Sequence, residues 1–162
     1  MLGVLTVFTH RFGGRPKKTD GCRDSRLPNL GILLGVPNPE DAAHLDVETV
    51  STASEQDYFT MISRCDVLVQ NGGEESYFYR ASGPIADAAA CGTAVVAPDF
   101  PIIGKQVAGI GEVFQGLEKM SEAVRTAIEK ARAGAYDFSA YRAGRSAQAL
   151  ARCLDNFSDG KS

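Results

Sequence analysis

Histidine is scarce in this chain: His10 and His44 are the only two in 162 residues. That shortage leaves no credible Ser-His-Asp arrangement for nucleophilic catalysis. It also argues against zinc, because the four cysteines, Cys22, Cys65, Cys91 and Cys153, nowhere form a C-x-x-C pair. No metal and no cofactor is expected. Cys65 and Cys91 lie in apolar contexts and are expected to be buried thiols. Long apolar runs are missing as well, and none approaches the roughly 20 residues that span a bilayer. The opening Met1 to Phe8 is too short for a signal peptide and leads into a polar stretch, so a cytoplasmic location is expected. An excess of positive charge is also lacking. With 17 Lys and Arg against 20 Asp and Glu the formal net charge is −3, which gives no case for a nucleic-acid surface. There is no internal repeat and no low-complexity tract.

What the chain does have is enough apolar material for a core. Forty-four per cent of it is hydrophobic, which predicts one folded domain over 1–157 and a loose tail over 158–162. Its organising stretch runs from Arg80 to Asp99. Ser82-Gly83 suits a helix start, Pro84 suits the first helical position, and the alanine-rich run Ile85 to Cys91 can lie close against a sheet. Gly92 then ends the helix, and Ala94 to Ala97 reads as a short buried strand closed by Pro98-Asp99. The chemistry this predicts is anion binding. A helix start leaves backbone N–H groups unpaired, and the helix dipole favours a phosphate there. The alternative reading is an ordinary capped helix.

Other elements follow from apolar spacing. Strands are expected at Leu2 to Phe8, Asn29 to Gly35, Val47 to Val50, Asp66 to Gln70 and Gly111 to Phe114. Ser54-Glu55-Gln56-Asp57 resembles a capping box and predicts a helix to about Arg64. Glu40 to Leu45 is a short helix candidate, and Phe100 to Val107 a loop or a short helix start. Leu117 to Arg132 and Ser139 to Phe157 each carry an apolar stripe of helical period. Alternating strands and helices predict an α/β fold: a Rossmann-like three-layer domain with a mostly parallel sheet of five or six strands. Ligands in such sheets bind at the carboxyl ends of the strands. Three loops are expected to converge there: one after Phe8, one at Asn71-Gly72-Gly73-Glu74-Glu75, and Arg80 to Gly83. The cations of the first loop, Arg11 and Lys17 among them, could meet a diphosphate or simply be solvated. Gly109-Ile110-Gly111 lacks the third glycine of a dinucleotide fingerprint, and Gly160-Lys161-Ser162 lacks the earlier glycine of a P-loop.

The stretch Val47 to Arg132 resembles the carboxyl-terminal, donor-binding half of two-domain retaining glycosyltransferases of the GT-B architecture, group 1 or GT4-like. The resemblance is carried by S-E-Q-D-Y-F-T-M-I-S-R-C-D-V-L-V, by D-A-A-A-C-G-T-A-V-V-A-P-D, and by G-I-G-E-V-F with the amphipathic helix after it. It implies binding of a nucleoside diphosphate sugar, UDP- or GDP-linked, with an amino-terminal acceptor-binding domain or partner chain completing the cleft. Ser82 and Gly83 would hold the diphosphate and Asp87 the ribose hydroxyls. Arg11 and Lys17 would neutralise the leaving diphosphate. Apart from the resemblance, Gly72-Gly73 with Glu74-Glu75 is similar to nucleotide-binding loops and joins the donor-binding candidates, the alternative being a common Gly-Gly turn after a strand. Asp87 stands where the family carries the second of two glutamates, and Tyr79 stands where it carries the first. Tyrosine cannot supply that charge, which leaves the catalytic residues unassigned. The alternative reading is a degenerate or stand-alone nucleotide-binding module without transfer activity.

Overall fold

The computed structural model describes residues 6–10, 32–36, 38, 40, 43, 48–71 and 77–158. Six strands are arranged in one sheet: β1 Thr6–His10, β2 Ile32–Val36, β3 Glu48–Ser51, β4 Cys65–Gln70, β5 Ala94–Pro98 and β6 Gly111–Phe114. The helices are α1 Glu55–Ser63, α2 Gly83–Cys91, α3 Pro101–Val107, α4 Leu117–Arg132, α5 Phe138–Gly144 and α6 Ala147–Ser158. Among the described residues no helix is long and apolar enough to cross a membrane.

The strand order is β3-β2-β1-β4-β5-β6. β2 pairs parallel with β3, and β4, β5 and β6 form a second parallel run. β1 joins the two runs and is antiparallel to both its neighbours. The fold is therefore α/β with a mostly parallel sheet, as the alternation of elements predicts. The antiparallel β1 is a departure from that alternation. Its register sets Thr6 opposite Gln70 and His10 opposite Cys65, so β1 ends at the amino end of β4.

Inward-facing residues alternate along the central strands, as the two-residue period of a sheet requires. Leu68, Val95 and Ala97 pack with Met61 and Ile62 of α1, Ile85, Ala88 and Ala89 of α2, and Ile103 and Val107 of α3. Val67, Val69, Ala94 and Val96 face the other way, onto Val124, Ala127 and Ile128 of α4. Helices thus cover both faces of the β4–β5–β6 run, giving three layers. The near-continuous apolar sequence of β4 and β5 is that of strands buried on both sides. A register shift between Thr9 and His10 leaves Asp66 as an extra residue in β4. This bulge turns Cys65 into the same core as Leu68.

Local chemistry sets the element ends. Ser54 caps α1: its Oγ accepts from the Asp57 N–H at 3.1 Å and donates to Asp57 Oδ2 at 2.7 Å. The stretch Ser139 to Phe157, which reads as one helix, is two. Gly144 ends α5, and Ser146 starts α6 by accepting from the Ala149 N–H at 3.2 Å. A serine oxygen competes for backbone donors inside a helix, and the spacing of apolar residues carries no mark of such a break. Of the two readings of Phe100 to Val107 the helix holds: it runs from Pro101 to Val107, with Phe100 at its cap. Of the Glu40 to Leu45 candidate, only Glu40 and Ala43 are described, joined by an Ala43 N–H to Glu40 carbonyl bond of 3.2 Å.

Candidate functional site

The amino end of α2 lies where the carboxyl ends of β4 and β5 lead, because β4, α2 and β5 form a parallel crossover. α2 begins one residue after Ser82, at Gly83, with Pro84 in its first turn. The early N–H groups of a helix have no intrahelical partner. Ser82 does not satisfy one of them, since it makes no side-chain cap. Its side chain is instead turned inward: the residue is 2% exposed, and its Oγ has no hydrogen-bond partner among the described residues. Gly83 is exposed, and a Cβ placed on it would meet nothing within 4 Å. The backbone at the helix start is therefore open to close approach.

Two features hold this end of α2 in place. Gln106 of α3 grips the Ser82 peptide twice, accepting from its N–H at 2.8 Å and donating to its carbonyl at 2.7 Å. At the far end, Arg142 of α5 donates to the Ala89 carbonyl at 3.0 Å, and Gly92 closes the helix in the left-handed region at φ 75°. A cation on the terminal carbonyls complements the negative end of the dipole. The positive end has no such complement among the hydrogen bonds of the described residues.

Gln70 closes β4 at its carboxyl end. It falls on the face of Leu68, and so on the side of α2 and α3. It is 1% exposed, and neither Oε1 nor Nε2 has a partner among the described residues. Buried side-chain amides are almost always hydrogen-bonded, so two buried side chains without partners among the described residues, one at the start of α2 and one at the carboxyl end of β4, are unusual. Nothing in the sequence reading assigned Gln70 or Gln106 to the site. The available signal was a glutamine ending an otherwise apolar strand.

Asp87 sits in the second turn of α2, which starts at Gly83. Its Oδ2 accepts from the Tyr58 hydroxyl of α1 at 3.0 Å. Burial, and then the charge of Asp87, push the Tyr58 hydroxyl's pKa up. Asp87 thus braces α1 against α2 through its Oδ2. Tyr79 is 85% exposed, its ring set edge-on to Phe78 at a centroid distance of 4.7 Å. Arg11, Lys17, Gly72 and Gly73 lie outside the described residues. The expected convergence of three loops is not seen for the first, because the strand leading into Arg11 ends at the opposite end of the sheet from Ser82.

Among the described residues no group of His, Cys, Asp and Glu could hold a metal. A shallow groove of about 310 Å³ lies between β6 and α4, lined by Glu112, Gln115, Lys119 and Glu122 among others. Its chemistry is already spent: Glu112 is held by Lys130 at 2.8 Å and by the Tyr136 hydroxyl at 2.7 Å, and Lys119 pairs with Glu122. The unpaired groups of Ser82 and Gln70 are the better candidate site. No protein-family model matches the chain, and neither does any curated protein or solved structure.

Proposed function

We propose that the chain binds a nucleoside diphosphate sugar at the amino end of α2 and is the donor-binding half of a glycosyltransferase, with transfer requiring an acceptor-binding domain or chain. One observation carries the binding reading. The open helix start at Gly83 follows Ser82, whose Oγ, like the Gln70 carboxamide at the carboxyl end of β4, is buried with no partner among the described residues. Helix N–H groups and the dipole favour a phosphate there, and preorganised donors of this kind stabilise a departing diphosphate. The choice of a sugar nucleotide rests on the resemblance of Val47 to Arg132 to GT4-like donor domains. Within this reading Asp87, whose Oδ2 holds Tyr58, offers its other carboxylate oxygen to the ribose.

A thermal-shift panel of UDP, GDP, ADP, their sugar conjugates and pyrophosphate tests it. Ligand at a hundred times its dissociation constant stabilises by about 2.7 kcal/mol, a rise of roughly 5–10 °C at this size. A selective rise with one nucleotide is expected, and Gly83→Val abolishes it while the fold survives, since that position is open. No rise with any ligand removes the donor reading.

Tyr79 favours a second reading, a binding module without transfer activity. It offers an exposed aromatic ring where the resembling family has an acid. Nucleotide binding with no sugar transfer under any added acceptor chain supports this reading.

A further inference from the structure

We propose that the Gln70 carboxamide, with the Ser82 hydroxyl, forms a buried polar floor that reads sugar hydroxyls of a phosphorylated ligand. The inference rests on the reading of α2 as the phosphate site. Leu68 of β4 and Ile85 of α2 share one core. Gln70 is the next residue on that face toward the carboxyl end of the strand, and Ser82 is three residues toward the amino end of the helix. Both steps lead to the same end of the layer. Gln70 is 1% exposed and Ser82 2%, and three of their side-chain atoms, Oε1, Nε2 and Oγ, have no partner among the described residues.

The kind of atom needed to satisfy them narrows the ligand. A carboxamide presents two donors beside an acceptor, and a serine hydroxyl does both. Phosphate oxygens at neutral pH are acceptors. They would pair with Nε2 and leave Oε1 facing another acceptor, so phosphate alone cannot complete the floor. Adjacent hydroxyls, which each donate and accept, can meet both ends of the carboxamide. A nucleobase amide edge shares that chemistry, and the experiment separates the two. A site built to hydrogen-bond hydroxyls discriminates strongly, because an analogue lacking them leaves buried polar groups unmade.

Isothermal titration of the full chain with pyrophosphate, glucose 1-phosphate, ribose 5-phosphate and UDP tests this. Wild type is expected to bind at least one sugar phosphate more tightly than pyrophosphate. Gln70→Leu is expected to weaken that sugar phosphate tenfold or more and leave pyrophosphate within about twofold. It should also raise the unliganded Tm, because an orphaned amide is replaced by an apolar side chain. Ser82→Ala, which removes only the hydroxyl, should move affinities in the same direction and serves if the leucine packs poorly. Equal losses for pyrophosphate and sugar phosphates, or none, overturn the inference. A loss confined to UDP overturns it in favour of a base edge. Pyrophosphate binding that Gly83→Val abolishes and Gln70→Leu spares keeps the α2 site and overturns only the floor. No binding of any probe by wild type overturns both.

Discussion

Tyr58 and Asp87 join α1 to α2 through one hydrogen bond of 3.0 Å. Tyr58→Phe is expected to cost about 1 kcal/mol, lowering Tm by roughly 2–4 °C, which thermal unfolding measures. Asp87→Ala removes the same bond, so its effect on nucleotide affinity should be compared with that of Tyr58→Phe. A loss seen only with the aspartate variant, and larger for nucleoside diphosphates than for pyrophosphate, supports contact with the ribose. Cys65 gives a pH dependence. Its thiol is pushed up to about 12, chiefly by burial, from an ordinary value of 9.0. The unfolded chain therefore loses this proton first, and the stability it contributes is present below pH 9 and is lost as pH rises from there toward 12. The loss is at most about 1.4 kcal/mol per pH unit. Stability measured by urea titration should fall between pH 9 and 10, and Cys65→Ala should flatten that fall. Cys65 was legible as a buried thiol from its apolar neighbours. Cys91 is only half-buried, since Ala88 and Ala89 take the inward positions of its helix.

At the scale of elements, α2 is a helix braced at both ends by side chains from others. Gln106→Ala releases the Ser82 peptide. It should cost about 1–3 kcal/mol in stability and weaken pyrophosphate binding without itself being a ligand contact, as paired unfolding and titration experiments would reveal. Gly111→Ala attacks a different joint. A Cβ there would run into the Val95 backbone, so β6 cannot keep its pairing with β5. A loss of several degrees in Tm is the expected result. The run from β4 through α2 to β5, and again β6 and α4, could be read in sequence because each element's apolar period, cap and terminating glycine agree. Two things could not. Whether α3 is a loop or a helix depends on its packing of Ile103 and Val107 into the core, which seven residues do not announce. The direction of β1 is set by its partners across the sheet, and a strand's own sequence carries no mark of direction. The open start of α2 was visible in Ser82-Gly83-Pro84. The floor beneath it was not, because Gln70 acquires its meaning only from what fails to pair with it.

For the molecule as a whole, two kinds of surface contrast. The faces of β4 and β5 are covered on both sides, whereas Leu150 and Leu154 of α6 are each 61% exposed. No described element packs broadly on α6. A chain ending after Arg145 is accordingly expected to keep its Tm within about 2 °C, measured by calorimetry. The antiparallel strand β1 has a further consequence, for the order of events in folding. From β4 to α4 every sheet pairing joins strands that are close in sequence, so their loops close readily. β1 must find β4 across more than fifty intervening residues, and that closure entropy is met before any contact rewards it. The parallel run should therefore assemble first and present the bare edge of β4 as a template. β1 would arrive late, carrying β2 and β3 with it. Pulse-labelled amide exchange would then protect Val95 and Val96 before Val7 and Phe8, and the half of the chain that holds the α2 site would take shape before the sheet is complete.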